Sequence, residues 1–109
     1  MLKEILTAAG VEHAQGRFLR MPAGTHAVYF DDIEVTTADP VPSAEAPRIY
    51  THNVTLEVYE PKPDDETETA IEAELDARAI PWSKQDRYWL KDSQRYQTVY
   101  DFTYTSKTK

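Results

Sequence analysis

From Arg48 to Glu60 the chain alternates, with Tyr50, His52, Val54, Leu56 and Val58 on one side and Thr51, Asn53, Thr55 and Glu57 on the other. That period predicts a strand with one buried face and one wet face. Pro61 and Pro63 stop it, since neither has an N–H to give to a ladder. Asp65 followed by Glu68 reads as a capping box, and the spacing then turns helical at Ile71, Leu75 and Ala79, with Pro81 as the close. A helix over residues 64–79 is therefore expected to rest on the sheet through those three side chains. A second alternator runs from Arg95 to Thr105: Tyr96, Thr98, Tyr100, Phe102 and Tyr104 share a face, and Gln97, Val99, Asp101 and Thr103 the other. Tyr100 and Phe102 go to the core with Val54, Leu56 and Val58. Tyr96 and Tyr104, nearer the strand ends, suit an interface, where an apolar ring with a wet hydroxyl is favoured.

The remaining patterns complete one domain. Met1 to Ala9 reads as a short helix with Leu2, Ile5, Leu6 and Ala9 on one side and Gly10 as its stop. Residues 10–24 hold all three glycines and Pro22, and read as an irregular connection with one apolar contact at Phe18 and Leu19. The run HAVYFDD predicts a strand with Val28 and Phe30 on one face and Ala27 and Tyr29 on the other, continuing through Ile33 and Val35 after a bend or bulge at Asp31-Asp32. TTADPVPSAEAP, residues 36–47, has little to bury and reads as a long hairpin arm over about 37–47. Asp86 to Leu90 predicts a short strand, followed by a turn at Lys91, Asp92 and Ser93, and residues 106–109 are expected to fray. The expected order is α-β-β-α-β-β. That makes a single α+β domain over 1–109, a mainly antiparallel four-stranded sheet with the central helix on one face.

Composition narrows the classes. The 109 residues are 40% hydrophobic, enough for one core, and contain no cysteine, so disulfides and thiolate metal sites are excluded. MLKEILTAAG has the make-up of neither a signal peptide nor a membrane span, and a soluble protein is the default. The net charge of −7 is unevenly spread. Residues 57–76 carry nine acids and one lysine, whereas residues 77–109 carry seven bases and three acids. No clustered basic footprint for phosphates appears, so sequence-specific nucleic-acid binding is not expected. An acidic helix is most simply a solvated face. Opposed acidic and basic faces also suit contacts between copies of one chain. The candidate interaction surface is Glu68, Glu72 and Asp76 on the helix, Arg87, Lys91 and Arg95 on the C-terminal hairpin, and Asp39, Val41, Ser43 and Glu45 on the arm. The arm, with Val41 as its one apolar anchor, is expected to reach a neighbouring subunit.

Candidate chemistry is sparse. Asp31, Asp32 and Glu34 with His26 or His52 could ligate a cation, but no metal-site spacing accompanies them and adjacent acids at a bend are mostly turn formers. His52 lies on the core face, as a hydrogen-bonded structural histidine would. Ser43, Ser83, Ser93 and Ser106 fall in loops or at the terminus, none in a nucleophile turn. Gly10, Gly16 and Gly24 make no phosphate loop. Glu68, Glu72 and Asp76 are placed on one exposed helix ridge, without the desolvation that tunes an acid or base. No catalytic, cofactor or metal residue is assigned.

Taken together, AVYFDDIEV, the strand and helix VTLEVYEPKPDDETETAIEAELDA, and YQTVYDFTY over roughly residues 25–105 resemble the small tail proteins of long-tailed bacteriophages and prophages. Within them the similarity is to the tail-terminator or tail-completion class. That resemblance implies an α+β subunit of a structural virion protein, a homohexameric ring capping the finished tail tube at the head–tail junction. Its implied partners are further copies of the chain, the tail tube protein and the head-connector protein, without membrane or cofactor. The implied location is the virion tail, after assembly in the host cytoplasm. The alternatives are an acidic inhibitor or DNA mimic that binds a basic partner, and a head-closure or neck connector protein.

Overall fold

Strands outweigh helices in this chain, and its two best alternators flank one another. The computed structural model describes residues 1–37 and 48–107. Among them the elements run α1 (Leu2–Ala8), β1 (Glu12–Gln15), β2 (His26–Thr37), β3 (Arg48–Glu60), α2 (Asp65–Ala77), β4 (Trp82–Lys84), β5 (Tyr88–Leu90) and β6 (Arg95–Ser106). The sheet order is β1-β2-β3-β6-β4, with β5 beside β6. The class is α+β with a mostly antiparallel sheet, as the patterns predict.

The strand count is six rather than four among the described residues. One addition is β1, inside the stretch read as irregular, which pairs parallel to β2 from Glu12 opposite His26 to Gln15 opposite Tyr29. The other is β4. β4 and β5 both run antiparallel to β6, from Trp82 opposite Phe102 to Leu90 opposite Arg95. Between them Gln85 donates its N–H to the Val99 carbonyl at 2.9 Å. Going from Lys84 to Tyr88 the chain spends one residue more than β6 does from Tyr100 to Gln97, a bulge that turns the edge.

β3 is paired along nearly its whole length on both sides. The expected bulge at Asp31-Asp32 is absent: β2 faces β3 residue for residue from His26–Tyr59 to Thr37–Arg48. Ala27 and Tyr29 therefore turn inward with Val54, Leu56, Val58, Tyr100 and Phe102, while Phe30 turns outward and is exposed. Leu2, Ile5 and Leu6 of α1 and Ile71 and Leu75 of α2 close the core from the inner side. The helices roof only one end of the sheet. The principal extents are 52 × 29 × 22 Å. No helix among the described residues is long and apolar enough to cross a membrane.

Ala79, expected in the core, is instead the exposed residue beyond α2, at φ 56°. Its N–H bonds to the Asp76 carbonyl at 3.0 Å and that of Ile80 to the Leu75 carbonyl at 3.0 Å. This is the Schellman ending, in which the left-handed residue is followed by an apolar one that tucks inward; Ile80 takes the core position. α1 ends the same way, with Gly10 at φ 74° and Val11 buried behind it. Glycine costs nothing there, whereas alanine has a Cβ that crowds the carbonyl.

Two outcomes are expected in chemical denaturation. Phe102→Ala costs about 3–5 kcal/mol, the usual loss for truncating a buried aromatic; a loss under about 1 kcal/mol would remove Phe102 from the core. Ala79→Gly relieves about 1–2 kcal/mol of left-handed strain and adds about 0.4–1 kcal/mol of unfolded-chain entropy, a net gain of up to about 1.6 kcal/mol. A destabilised Ala79→Gly would contradict the left-handed ending.

Candidate functional site

β3 ends its inward row with a carboxylate: Glu60, two residues past Val58, has no exposed surface. Glu68 on the first full turn of α2 comes down over it and is itself 3% exposed. The helix is started one residue earlier than the sequence pattern suggests. Asp64 is the N-cap, accepting from the Thr67 N–H at 3.0 Å and from the Thr25 hydroxyl at 2.7 Å. Its own N–H is taken by Glu60 Oε2 at 3.1 Å. Glu68 is thus freed from capping and turned toward the sheet.

The bulged stretch between β4 and β5 brings two cations to this pair. Arg87 donates from Nε to Glu60 Oε1 at 3.3 Å and from Nη2 to Glu68 Oε2 at 2.7 Å and to Asp65. Lys84 Nζ reaches Glu68 Oε1 and Glu72 Oε2, each at 2.8 Å, and stands 5.5 Å from the centre of the Tyr100 ring. The Tyr100 hydroxyl donates to Glu72 Oε2 at 2.6 Å, and the buried Thr98 hydroxyl lies between the two glutamates.

Burial, and then the neighbouring Glu68, raise the Glu60 carboxyl from its ordinary 4.5 to about 8. Glu68 moves the other way: its burial is outweighed by hydrogen bonds from Glu60, Lys84 and Arg87, which hold it below the usual range. Glu60, with the longer cation contact and no exposed surface, is the member of the pair that favours its protonated form. The Tyr100 hydroxyl is pushed well above its normal value by burial and by Glu72. Chemically this is an acid beside a base, but it is covered. Its work is to clamp α2 to β3, β4 and β6.

A second polar thread crosses the bare end of the inner face. His52 Nδ1 bonds to Asp31 Oδ2 at 2.9 Å and its Nε2 to Ser106 Oγ at 2.9 Å, with Tyr104 stacked on the imidazole at 4.4 Å. Ser106, read as terminal and apart, thus meets His52 and Asp31 in the connectivity of a hydrolase relay. The serine closes a regular strand, however, and is not presented on a sharp turn. Asp32 and Glu34 point to the other face, and no cluster of three metal-ligating groups occurs among the described residues.

The candidate surface is redrawn accordingly. Glu68 is buried and Glu72 half-buried; Arg87 is spent on Glu60, Asp65 and Glu68 and Lys84 on Glu68 and Glu72, so these charges are satisfied within a single chain rather than between copies. Asp76 is exposed but accepts from Trp82 Nε1 at 2.8 Å. Arg95 folds back on the carbonyls of Ser93, Gln94 and Ala23. Lys91 stays exposed and enters no ion pair among the described residues. Asp39, Val41, Ser43 and Glu45, and the arm they belong to, lie outside the described residues. Of the interface tyrosines, Tyr104 packs on His52 and Tyr96 on Trp89.

Sequence reasoning missed the outer face. There a cleft of about 690 Å³ is lined by Phe18, Met21, Tyr59 and Tyr88, with Arg17 and Lys91 among its other walls. Tyr88 and Trp89 are exposed beside it, and so are Phe30, Val35 and Ile49 toward the bare end of the sheet. The signal was present in the run Tyr88-Trp89, whose two large aromatics are more than a three-residue edge strand needs.

No family model and no curated protein matches the chain. A solved protein structure that carries no functional name is similar in fold, with a TM-score of 0.53 at 15% identity, over 94% of this chain and 83% of its own. At that identity the likeness speaks for the α+β fold alone.

The carboxyl pair predicts a pH dependence. Folding favours protonated Glu60, so its contribution to stability is complete below pH about 4.5 and is lost as pH rises through about 8. Glu60→Gln keeps the shape and carries no proton to lose. The variant is expected to gain on the wild type steadily between pH 5 and 8.5 in urea titrations. A difference that stays constant over that range would move the proton off Glu60.

Proposed function

We propose that this protein is a structural subunit of a bacteriophage tail, a terminator that closes into a ring on the end of the tail tube where the head attaches. The observation that carries the reading is the unroofed outer face of the sheet. Over the outward positions of Asp32–Thr36, Ile49–Glu57 and Gln97–Thr105 stand Asp32, Glu34, Glu57 and Asp101, hydroxyls and amides, with Ile49 and Val99 among them and no lysine or arginine. A surface of that kind facing the bore of a ring would repel phosphates and let DNA slide past, whereas a basic lining would hold it. The resemblance of the strand–helix–strand runs to tail-terminator proteins supports the same reading.

The rival reading, an acidic DNA mimic, needs a row of free carboxylates on α2. Glu68 and Glu72, the centre of that row, are engaged by Lys84 and Arg87 in the same chain, which weighs against it. Cryo-electron microscopy of purified tails tests the terminator reading directly. One ring of this chain at the tube end is expected; the protein spread along the tube, or missing from virions, would overturn it.

A further inference from the structure

β1 covers only the start of the β2 edge, from His26 to Tyr29. Gly16 closes that short ladder with its N–H on the Tyr29 carbonyl at 2.9 Å, and at φ 79° it turns the chain away. From Phe30 to Thr36 no strand lies on that side of β2 among the described residues. Successive residues of a paired strand aim their main-chain groups to opposite sides. The Tyr29 carbonyl points away from β3, and so therefore do the N–H and C=O of Asp31, Ile33 and Val35. Those of Phe30, Asp32 and Glu34 turn to β3. Asp31, Ile33 and Val35 thus hold out donors and acceptors along an open edge, without a main-chain partner there among the described residues.

Such an edge is a template for a further strand, and native edges are blunted by bulges, prolines, shortness or charge. Here the register with β3 is unbroken and Phe30–Thr36 contains no proline. Charge is the device that remains. Asp32 and Glu34 stand exposed on the outward row, and neither enters an ion pair among the described residues. On the inward row Asp31 is held by His52, Ile33 is half-buried and Val35 is exposed. Two copies of this edge paired antiparallel about Ile33 would set Asp32 of each against Glu34 of the other. Centring the pair on Asp32 or on Glu34 sets that acid against its own copy. Like charges directly opposite destabilise a sheet, so the acids close the edge to an antiparallel copy of itself. The same acids favour a strand of opposite charge.

We infer that the Phe30–Thr36 edge is a docking site for an extended segment of another protein, one that carries lysine or arginine alternating with apolar residues. The segment adds to β2 in the row that β1 begins, and β1 sets its limit at Tyr29. Main-chain hydrogen bonds to Asp31, Ile33 and Val35 supply the contact, as in other strand additions. Its bases lie beside Asp32 and Glu34 on the outer face, and its apolar side chains beside Ile33 and Val35 on the inner. The inference goes beyond the terminator reading and does not depend on a ring.

A capped peptide of alternating lysine and valine, as long as the Phe30–Thr36 edge, is titrated into the full chain at low salt. Binding and amide exchange are followed together by NMR. Saturable binding is expected, with exchange slowed most at the Ile33 and Val35 amides, and no such effect from a glutamate–valine peptide. Asp32→Lys with Glu34→Lys should weaken the lysine peptide at least about tenfold and reverse the preference, since two attractive pairs become repulsive. Val35→Pro removes an edge-facing N–H and no bond to β3, so the fold should survive by circular dichroism while binding is lost. Equal binding of both peptides would overturn the inference. So would binding that leaves the Ile33 and Val35 amides unchanged, which would reduce the site to an acidic patch. Slowed exchange of the same amides in the chain alone, rising with its concentration, would make a second copy the occupant and overturn it too.

Discussion

Two carboxyl groups with almost no access to water sit side by side beneath α2, and much of the local architecture answers to that. An unpaired buried charge costs several kcal/mol, so Glu60 and Glu68 survive only because one keeps a proton and the other meets Arg87 and Lys84. Bringing those cations in requires the chain to leave regular pairing between β4 and β5, which is where the bulge lies. The Asp64 cap is drawn into the same cluster, since its N–H is held by Glu60. A helix that reads as a solvated acidic rod is in this way bolted to three strands by polar contacts beneath its apolar ones.

That use of charge has an effect elsewhere. The bases of the C-terminal hairpin that lie nearest α2 are consumed inside the chain. Asp32 and Glu34 at the bare end of β2 are left without ion pairs among the described residues, while the outer cleft carries Arg17 and Lys91 together with Glu57 and Asp92. The helices stop short of the bare end, so the domain has a roofed half that keeps it folded and an open half that is nearly all strand.

Legibility in the sequence followed the strength of periodicity. β3 and β6 alternate over ten or more residues, and every core position assigned to them, from Val54 to Phe102, is buried. Ile71 and Leu75 were equally plain. β1 was hidden because EHAQ is four residues long, has no apolar alternation, and is stabilised by a parallel partner beyond a ten-residue connection. Glu68 was misplaced because helical spacing gives a residue's angle and not the reach of its side chain; the presence of Arg87 and Lys84 opposite is a tertiary fact. Ala79 followed the 3.6-residue rhythm past the end of the helix, where a left-handed turn hands its place to Ile80. The sheet edges were invisible, since strand order is not written in periodicity.

Alternation has a blind spot that the His52 thread covers. A strand that slips by one residue turns its apolar side chains to water and is rejected at once, but a slip by two returns every residue to its proper face. Over the bare end of the β2–β3–β6 ribbon no helix among the described residues would object to such a shift. Asp31, His52 and Ser106 lie on three different strands, offset diagonally and joined by directional hydrogen bonds at both imidazole nitrogens. Sliding either outer strand by two residues would separate at least one of those pairs and strand a buried imidazole without its partner. The histidine therefore acts as a vernier, distinguishing one correct alignment from neighbours that hydrophobicity cannot tell apart.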